Sequence, residues 1–418
     1  MVDVNSLTLG DVTATGNLNA KAEDDLVLNG NVSADTLDLT ATNGKIDQTA
    51  GQLSVVTGPT NLNAASDINL GSATNDFNGT VNAAGNNIAL VDGTGGLTLG
   101  DITAGGTFDV TSTDGAIDQA NGTTIAVTDE TTLVASDGAD PATTYDIRLD
   151  GANNDFATVN ADGAAITLVD VNSLTLGDVT ATGKLDATAA TDLVLNGDVS
   201  ADRLDLTATD GKIDQTGGEL SVVNGPTNLN ASADITLASA TNDFNGLVNA
   251  GGINITLVDV GALALGVVTA MGNLDLTSTG DLVLGTVTVA GGLVANSNGG
   301  SITQTGPLRV EGEANLNAGS GVVDLSNPDN YFPSGVNAKG SSVTVAGDSN
   351  LVNSQVSAGV FYQEVTREEF AVVWVADSFS SSIVTTDVLV VSEADEQQIK
   401  MSLCMSSPVS ADLTCVSD

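Results

Sequence analysis

The sequence contains no histidine, and only ten of its 418 residues are lysine or arginine. Without histidine, neither a Ser-His-Asp nor a Cys-His catalytic arrangement can form, and the commonest general base is missing. The basic residues are scattered singly along the chain. Nucleic-acid binding needs clustered cations that displace counterions from phosphates. We therefore expect no catalytic residues and no nucleic-acid partner.

Aromatic residues make up only 3% of the chain, so any hydrophobic core has to be thin. The longest apolar runs, such as Phe370 to Ala376, are far shorter than the roughly 20 residues that cross a bilayer as a helix. The 53 acidic residues give a net charge of −43, which disfavours binding to an anionic membrane surface. Because 41% of the residues are hydrophobic, the chain is too apolar for a solvated tail and is expected to fold.

Internal repeats are the strongest signal in the sequence. The segment VDVNSLTLGDVTATG at 2–16 recurs unchanged at 169–183, and the match continues through the motifs GKIDQT, GPTNLNA and NDFNG. Each long repeat divides into two related units. Residues 1–345 are therefore interpreted as four units, about 2–90, 91–168, 169–257 and 258–345, and residues 346–418 as a non-repeat segment that caps or anchors the chain.

The second unit is shorter than the first, and the difference indicates the size of one structural turn. Between the GD and IDQ motifs the second unit has 19 fewer residues, and further on it gains eight residues around the run GADPATTY. A clean loss of 19 residues predicts that about 19 residues form one removable turn. The eight added residues are interpreted as a loop on one face.

Apolar residues two positions apart recur in each unit, with Thr, Asn, Asp and Ser between them. This period of two is typical of short, half-buried strands, and the intervening Gly, Asn and Asp favour tight turns. About three strands per turn predict an all-β fold, a parallel β-helix solenoid of roughly 18 coils and about 85 Å. The pairs in the first unit are Leu7 and Leu9, Leu26 and Leu28, Leu37 and Leu39, Leu53 and Val55, Ile68 and Leu70, and Ile88 and Leu90.

These units, most clearly Gly299 to Val336 with the sequence GGSITQTGPLRVEGEANLNAGSGVVDLSNPDNYFPSGV, resemble the repeat region of filamentous haemagglutinin-like exoproteins of two-partner secretion. The resemblance implies a right-handed parallel β-helix and export through an outer-membrane two-partner secretion transporter. It also implies a role in adhesion or aggregation at the cell surface. Since the sequence begins in mid-repeat, we expect it to be the C-terminal part of a longer exoprotein.

The only two cysteines, Cys404 and Cys415, lie near the end of the sequence. In a chain expected to be extracellular, such a pair predicts a disulfide loop, whose simplest role is a local staple. High-molecular-weight adhesins of the resembling class end in a similar cysteine-bracketed loop, which retains the exoprotein in its transporter. By that resemblance the pair is also a candidate anchor. Two cysteines without histidine cannot complete a zinc site.

Five Asn-X-Ser/Thr sequons are candidate glycosylation sites, although a chain this rich in Asn, Ser and Thr produces several by chance. They are Asn31, Asn78, Asn121, Asn230 and Asn254. Neither a calcium-binding β-roll nonapeptide nor an EF-hand loop is present, so we expect no metal site and no cofactor. Weak, diffuse Ca²⁺ binding by the acidic coils stays open.

Carboxylate pairs such as Asp24 with Asp25, or Asp146 with Asp150, could be drawn as acid and base, but 53 acidic residues bring carboxylates together by chance. The leading hypothesis is a non-catalytic adhesin stalk that spaces a binding region from the cell and is tethered at the outer membrane by its C-terminus. Its receptor is not identified by the sequence. The alternative is a self-assembling extracellular fibre or surface-layer subunit, whose open β-helix ends stack end to end.

Overall fold

The computed structural model describes residues 1–139 and 141–349 and the short strands 356–357, 361–365, 369–371, 403–405 and 414–416. The described residues contain no helix, and their parallel strands stack as a β-solenoid of about 17 turns. This confirms the parallel β-helix expected from the repeats.

The strands are numbered in chain order and grouped here by the four units. The first unit contains β1 (Val2–Asp3), β2 (Leu7–Leu9), β3 (Val12–Thr13), β4 (Asn17–Ala22), β5 (Leu26–Asn29), β6 (Val32–Ala34), β7 (Thr36–Ala41), β8 (Ile46–Ala50), β9 (Leu53–Val55), β10 (Thr60–Ala64), β11 (Ile68–Leu70), β12 (Asp76–Phe77), β13 (Thr80–Gly85) and β14 (Ile88–Asp92). The second contains β15 (Leu97–Ala104), β16 (Phe108–Ser112), β17 (Ile117–Gln119), β18 (Ile125–Ala135), β19 (Ile147–Leu149), β20 (Asp155–Gly163) and β21 (Ile166–Asp170).

The third unit contains β22 (Leu174–Ala189), β23 (Leu193–Leu195), β24 (Val199–Ala208), β25 (Ile213–Gln215), β26 (Leu220–Val222), β27 (Thr227–Ala231), β28 (Ile235–Leu237), β29 (Asp243–Phe244), β30 (Leu247–Gly252) and β31 (Ile255–Asp259). The fourth contains β32 (Leu263–Ala270), β33 (Leu274–Ser278), β34 (Leu282–Leu284), β35 (Thr286–Val289), β36 (Leu293–Asn296), β37 (Ile302–Gln304), β38 (Leu308–Val310), β39 (Ala314–Asn317), β40 (Val322–Leu325), β41 (Tyr331–Phe332), β42 (Val336–Lys339) and β43 (Ser342–Ala346). The C-terminal segment adds β44 (Asp348–Ser349), β45 (Val356–Ser357), β46 (Phe361–Val365), β47 (Glu369–Ala371), β48 (Leu403–Met405) and β49 (Thr414–Val416).

Equivalent strands of successive turns pair in parallel. Leu7 pairs with Leu26, and Leu26 pairs with Ile46, so a turn here takes 19 or 20 residues, as predicted. Alternate side chains point inwards and form continuous columns of buried Leu, Val, Ile and Ala. All six apolar pairs predicted in the first unit lie in strands, and every member except the half-buried Leu7 is buried.

The shorter second unit lacks one whole turn but keeps its register. Leu97 in β15 pairs directly with Ile117 in β17, whereas the equivalent strands of the third unit, β22 and β25, have β23 between them. The added residues that the structure describes, 138–139 and 141–145, lie in a loop between β18 and β19, where an isolated antiparallel bridge joins Ser136 to Thr144. Both predictions made from the length differences are confirmed.

At the boundary between neighbouring units, one stack of parallel strands ends and another divides into two. The stack formed by β3, β6, β9 and β12 ends at β12. Next to this stack end, the long strand β15 pairs with β13 on both sides of a register shift. The first half of β15 then pairs with β17 in the following turn, and its second half pairs with β18. A stack thus splits where another ends. The same split recurs where β20 meets β22 and where β30 meets β32. The three places where a stack splits are called the first, second and third junctions.

Close stacking of the turns excludes side chains at particular corners. A Cβ atom on Gly246 would lie 1.9 Å from the carbonyl oxygen of Gly225 in the preceding turn, whereas a Cβ on Gly16 would have nothing within 4 Å. We expect Gly246→Ala to lower the free energy of unfolding by about 2 kcal/mol or more, because backbone has to move. Gly16→Ala should change it by less than about 0.5 kcal/mol. Denaturant unfolding followed by circular dichroism measures both, and equal effects would contradict the contact at Gly246.

Candidate functional site

Carboxylates at the corners of the solenoid bind the backbone of the following turn. Asp25 Oδ1 accepts a hydrogen bond of 3.1 Å from the Lys45 amide, and Asp146 Oδ1 accepts one of 3.0 Å from the Ala165 amide. Because turn amides lack a regular strand partner, the carboxylates supply the missing acceptor. These two acid-base candidates are therefore engaged as backbone caps.

Asp24 is exposed, and two further outer-face carboxylates, Asp150 and Asp38, have side-chain partners. Asp150 forms an ion pair with Arg148, whose Nη2 lies 2.6 Å from Asp150 Oδ2. Asp38 accepts a hydrogen bond of 2.6 Å from the Asn61 side chain. Among the residues that the structure describes, no group of three or more His, Cys, Asp or Glu side chains could hold a metal ion.

Where a stack splits, an asparagine side chain accepts a hydrogen bond from a backbone amide of the next turn. Asn249 lies within the register shift between Val248 and Ala250, and its Oδ1 accepts a hydrogen bond of 2.8 Å from the Val267 amide. Its Nδ2 donates to Asn228 Oδ1 at 2.9 Å, which extends a ladder of amides along the outer face. The same bond joins Asn82 to the Asp101 amide and Asn160 to the Asp178 amide.

An open groove of about 480 Å³ lies beside this ladder at the third junction. Asp186 and Asp205 line it at one end, and Lys184 forms ion pairs with both carboxylates at 2.8 and 2.5 Å. Val267 and Thr269 line the other end. The groove therefore combines negative, amide, hydroxyl and aliphatic surfaces.

Each unit contains one pair of bonded amide side chains, in which the asparagine is buried and the glutamine is half-buried. Gln48 and Asn75 exchange two hydrogen bonds of 2.8 Å, and Asn75 also accepts from the Leu53 amide and donates to the Leu70 carbonyl. The side chain of Asn75 is fully buried and fully bonded, as a buried polar group requires. The equivalent pairs are Gln119 with Asn154, Gln215 with Asn242, and Gln304 with Asn330.

The sequence motifs IDQ and NDF contain the two partners of this pair in the first three units, and ITQ and NYF contain them in the fourth. Sequence reasoning used both motifs as landmarks of the repeat but did not predict that they touch. The signal that could have found the contact is their joint recurrence, since a Gln and an Asn stand at these positions in every unit.

A buried aspartate closes each junction at which a stack ends. Asp92 Oδ1 accepts a hydrogen bond of 2.9 Å from the Phe77 amide, which has no following strand to pair with. Burial raises the pKa of Asp92 to about 6, the bond from Phe77 opposes this rise, and the Asp76 carboxylate adds to it. Burial likewise raises the pKa of the equivalent Asp170, bonded to Phe156, and Asp259, bonded to Phe244.

Comparison with known protein families matches four segments, 21–84, 85–162, 188–251 and 275–339, to DUF5649, described as repeats of unknown function. These segments make up well over half of the sequence. The chain belongs to the DUF5649 repeat family. Each match lies largely within one of the four units, and the second begins at residue 85, within the first unit. No curated protein and no solved structure matches the chain.

The described part of this DUF5649 chain contains no helix of the length and apolarity needed to cross a membrane. Its five sequons lie in different environments. Asn254 is half-buried, with its Nδ2 bonded to Asp234 and its Oδ1 bonded to the Asn273 amide. The other four sequon asparagines, Asn31, Asn78, Asn121 and Asn230, are exposed. Glycosylation stays a prediction at all five.

The C-terminal segment departs from parallel stacking. β46 pairs in parallel with β43 and antiparallel with β47, and β48 pairs antiparallel with β49. In that last pair the backbone of Cys404 lies opposite that of Cys415. The two side chains, like most of segment 346–418, lie outside the described residues, so the disulfide, the anchor and the cap stay predictions.

The amide pairs yield a stability prediction. We expect Asn154→Ala to lower the free energy of unfolding by about 2 to 4 kcal/mol, because the Gln119 side chain and the Ile125 amide lose their buried partner. Asn121→Ala, at an exposed turn, is the matched control and should change it by less than about 0.5 kcal/mol. Chemical denaturation measures both, and a neutral Asn154→Ala would refute the structural role of the pair.

The buried aspartates predict a pH dependence. A pKa of about 6 in the folded state, above an ordinary value of 3.8, means that the folded chain holds the proton more tightly. The contribution of Asp92 to the free energy of unfolding is therefore greatest below about pH 4 and falls by about 3 kcal/mol as the pH rises through 6. We expect Asp92→Asn to flatten the unfolding free energy between pH 4 and pH 7. Asp129→Asn, at an exposed position, controls for the loss of one charge, and an identical slope in both variants would contradict the assignment.

Proposed function

We propose that this chain is a non-catalytic stalk of a cell-surface adhesin, which holds a binding region away from the cell. The observation that carries the proposal is the continuous parallel stack, since about 17 turns at about 4.8 Å each span roughly 80 Å. Each turn contacts mainly its neighbours, so length can change by whole turns while the local structure persists. The missing turn of the second unit is an example of such a change.

The use of the polar side chains supports a structural role. Corner carboxylates, amide ladders and buried amide pairs all join one turn to the next. A spacer needs these bonds in every turn, whereas an enzyme needs a small set of reactive groups brought together at one place.

We further propose that a two-partner secretion transporter exports the chain, and that the segment around Cys404 and Cys415 retains it at the outer membrane. The resemblance described above motivates this step, and the strand pairing supports a disulfide within the segment. Residues directly opposite in an antiparallel pair have Cα atoms about 4.5 to 5.5 Å apart. A disulfide bridges such a separation without backbone movement.

A self-assembling fibre is the second candidate. The parallel pairing of successive turns favours it, because a second copy could continue the same pairing. Opposing this alternative, a net charge of −43 on every copy makes close association unfavourable unless salt screens it.

Cell fractionation of the native host tests the tethered stalk. We expect the chain to be found with the outer membrane, and Cys404→Ser or treatment with a reductant to release it into the medium. Ser406→Ala is the matched control and should leave retention unchanged. If Cys404→Ser is retained at the outer membrane as the wild-type chain is, the cysteines act only as a local staple. Soluble filaments that form with increasing protein concentration would favour the fibre instead.

A further inference from the structure

The third junction has an exposed apolar patch, formed by Leu247, Ile253, Val267 and Met271. Their exposed fractions are 53%, 39%, 60% and 62%. The equivalent residues at the first junction are Thr80, Asn86, Asp101 and Gly105, and those at the second are Thr158, Ala164, Asp178 and Thr182. Because the three junctions share one backbone plan, the fold itself does not require large apolar side chains at these four positions.

The four side chains lie on two adjacent turns of one outer face. β30 and β32 pair so that Gly251 lies beside Thr269, and the Met271 amide donates to the carbonyl of Gly252, which precedes Ile253. Ile253 and Met271 therefore meet at one end of the strand pair, and Leu247 and Val267 lie towards the other. The strand between Leu247 and Ile253 is about 20 Å long.

The open groove described above begins between these two apolar ends, where Val267 and Thr269 line it, and runs across the turns towards Asp186 and Asp205. Gly251 lines it where the other junctions have Ala84 and Asp162, so no side chain fills this part of the floor. Asn230 and Thr269 present an amide and a hydroxyl to the groove. At its far end the two carboxylates of Asp186 and Asp205 outnumber the single ammonium group of Lys184.

We infer that the patch and groove bind an extended segment of a partner protein that carries both apolar and basic side chains. Exposed apolar surface flanked by polar groups marks an interaction site, and the two apolar ends are separated by the length of about six extended residues. The amide and hydroxyl groups between them can bond the backbone of such a segment. The net charge of −43 attracts a basic partner and disfavours a second copy of the chain. This inference does not depend on how the C-terminus is anchored.

The test uses the full chain and a fluorescein-labelled peptide in which leucine and lysine alternate, with binding followed by fluorescence anisotropy. The patch variant carries L247T, I253N, V267D and M271G, which are the residues of the first junction. We expect it to bind the peptide at least tenfold more weakly than the wild-type chain. A control variant, V56T with V223T, changes two valines that are each 48% exposed outside the patch, and should bind as the wild type does.

The patch variant separates apolar recognition from simple charge attraction. V267D adds a carboxylate, so binding by charge alone would become tighter, and that result would overturn the inference. Absence of peptide binding to the wild-type chain would overturn the inference as well. A wild-type dimer in sedimentation experiments that is lost in the patch variant would also overturn it, since a second copy of the chain would then be the partner. If the patch variant with its four substitutions does not fold, Val267→Asp alone is used. This single substitution introduces the residue found at the other two junctions and should weaken binding at least threefold.

Discussion

Every turn of this solenoid has to place its backbone amides and carbonyls within hydrogen-bonding distance of the next turn. That spacing is about 4.8 Å, and it leaves little freedom in the rest of the molecule. Side chains that point inwards stack on their equivalents, which is why the core consists of columns of Leu, Val, Ile and Ala. Where the backbone of two turns comes closest, as at Gly246 above Gly225, only glycine fits.

The same constraint explains much of the polar composition. Strands satisfy their own amides, but corners, stack ends and stack splits leave amides without an acceptor. Asp25 caps such an amide at a corner, Asp92 at a stack end and Asn249 at a split. Oxygen acceptors are needed at all three, and Asp and Asn supply them on short side chains. A large net negative charge is one consequence, and a buried aspartate with a raised pKa is another.

The turn length, the missing turn and the added loop could be predicted because they follow from local periodicity and from counting residues between repeats. The splitting of a stack could not, since Leu97–Ala104 looks like two ordinary short strands until it is seen to pair with β13 along both halves. The contact between Gln48 and Asn75 was also missed. It joins residues 27 positions apart, and its partners are recognisable only once the turns are stacked.

Comparison among the units separates residues that hold the fold from residues that are free to serve something else. The Gln and Asn of the buried pair recur in all four units, and the buried Asp recurs at all three junctions, because each satisfies a backbone group that has no other partner. Outward positions are less constrained. Asp101 and Asp178 give their backbone amides to the asparagine contact, and their side chains also accept hydrogen bonds from the amides of Thr124 and Asp198. Val267 makes the same backbone contact with an apolar side chain that is exposed to solvent. Since the fold accepts either kind of side chain there, an apolar one at that place indicates a contact beyond the solenoid itself.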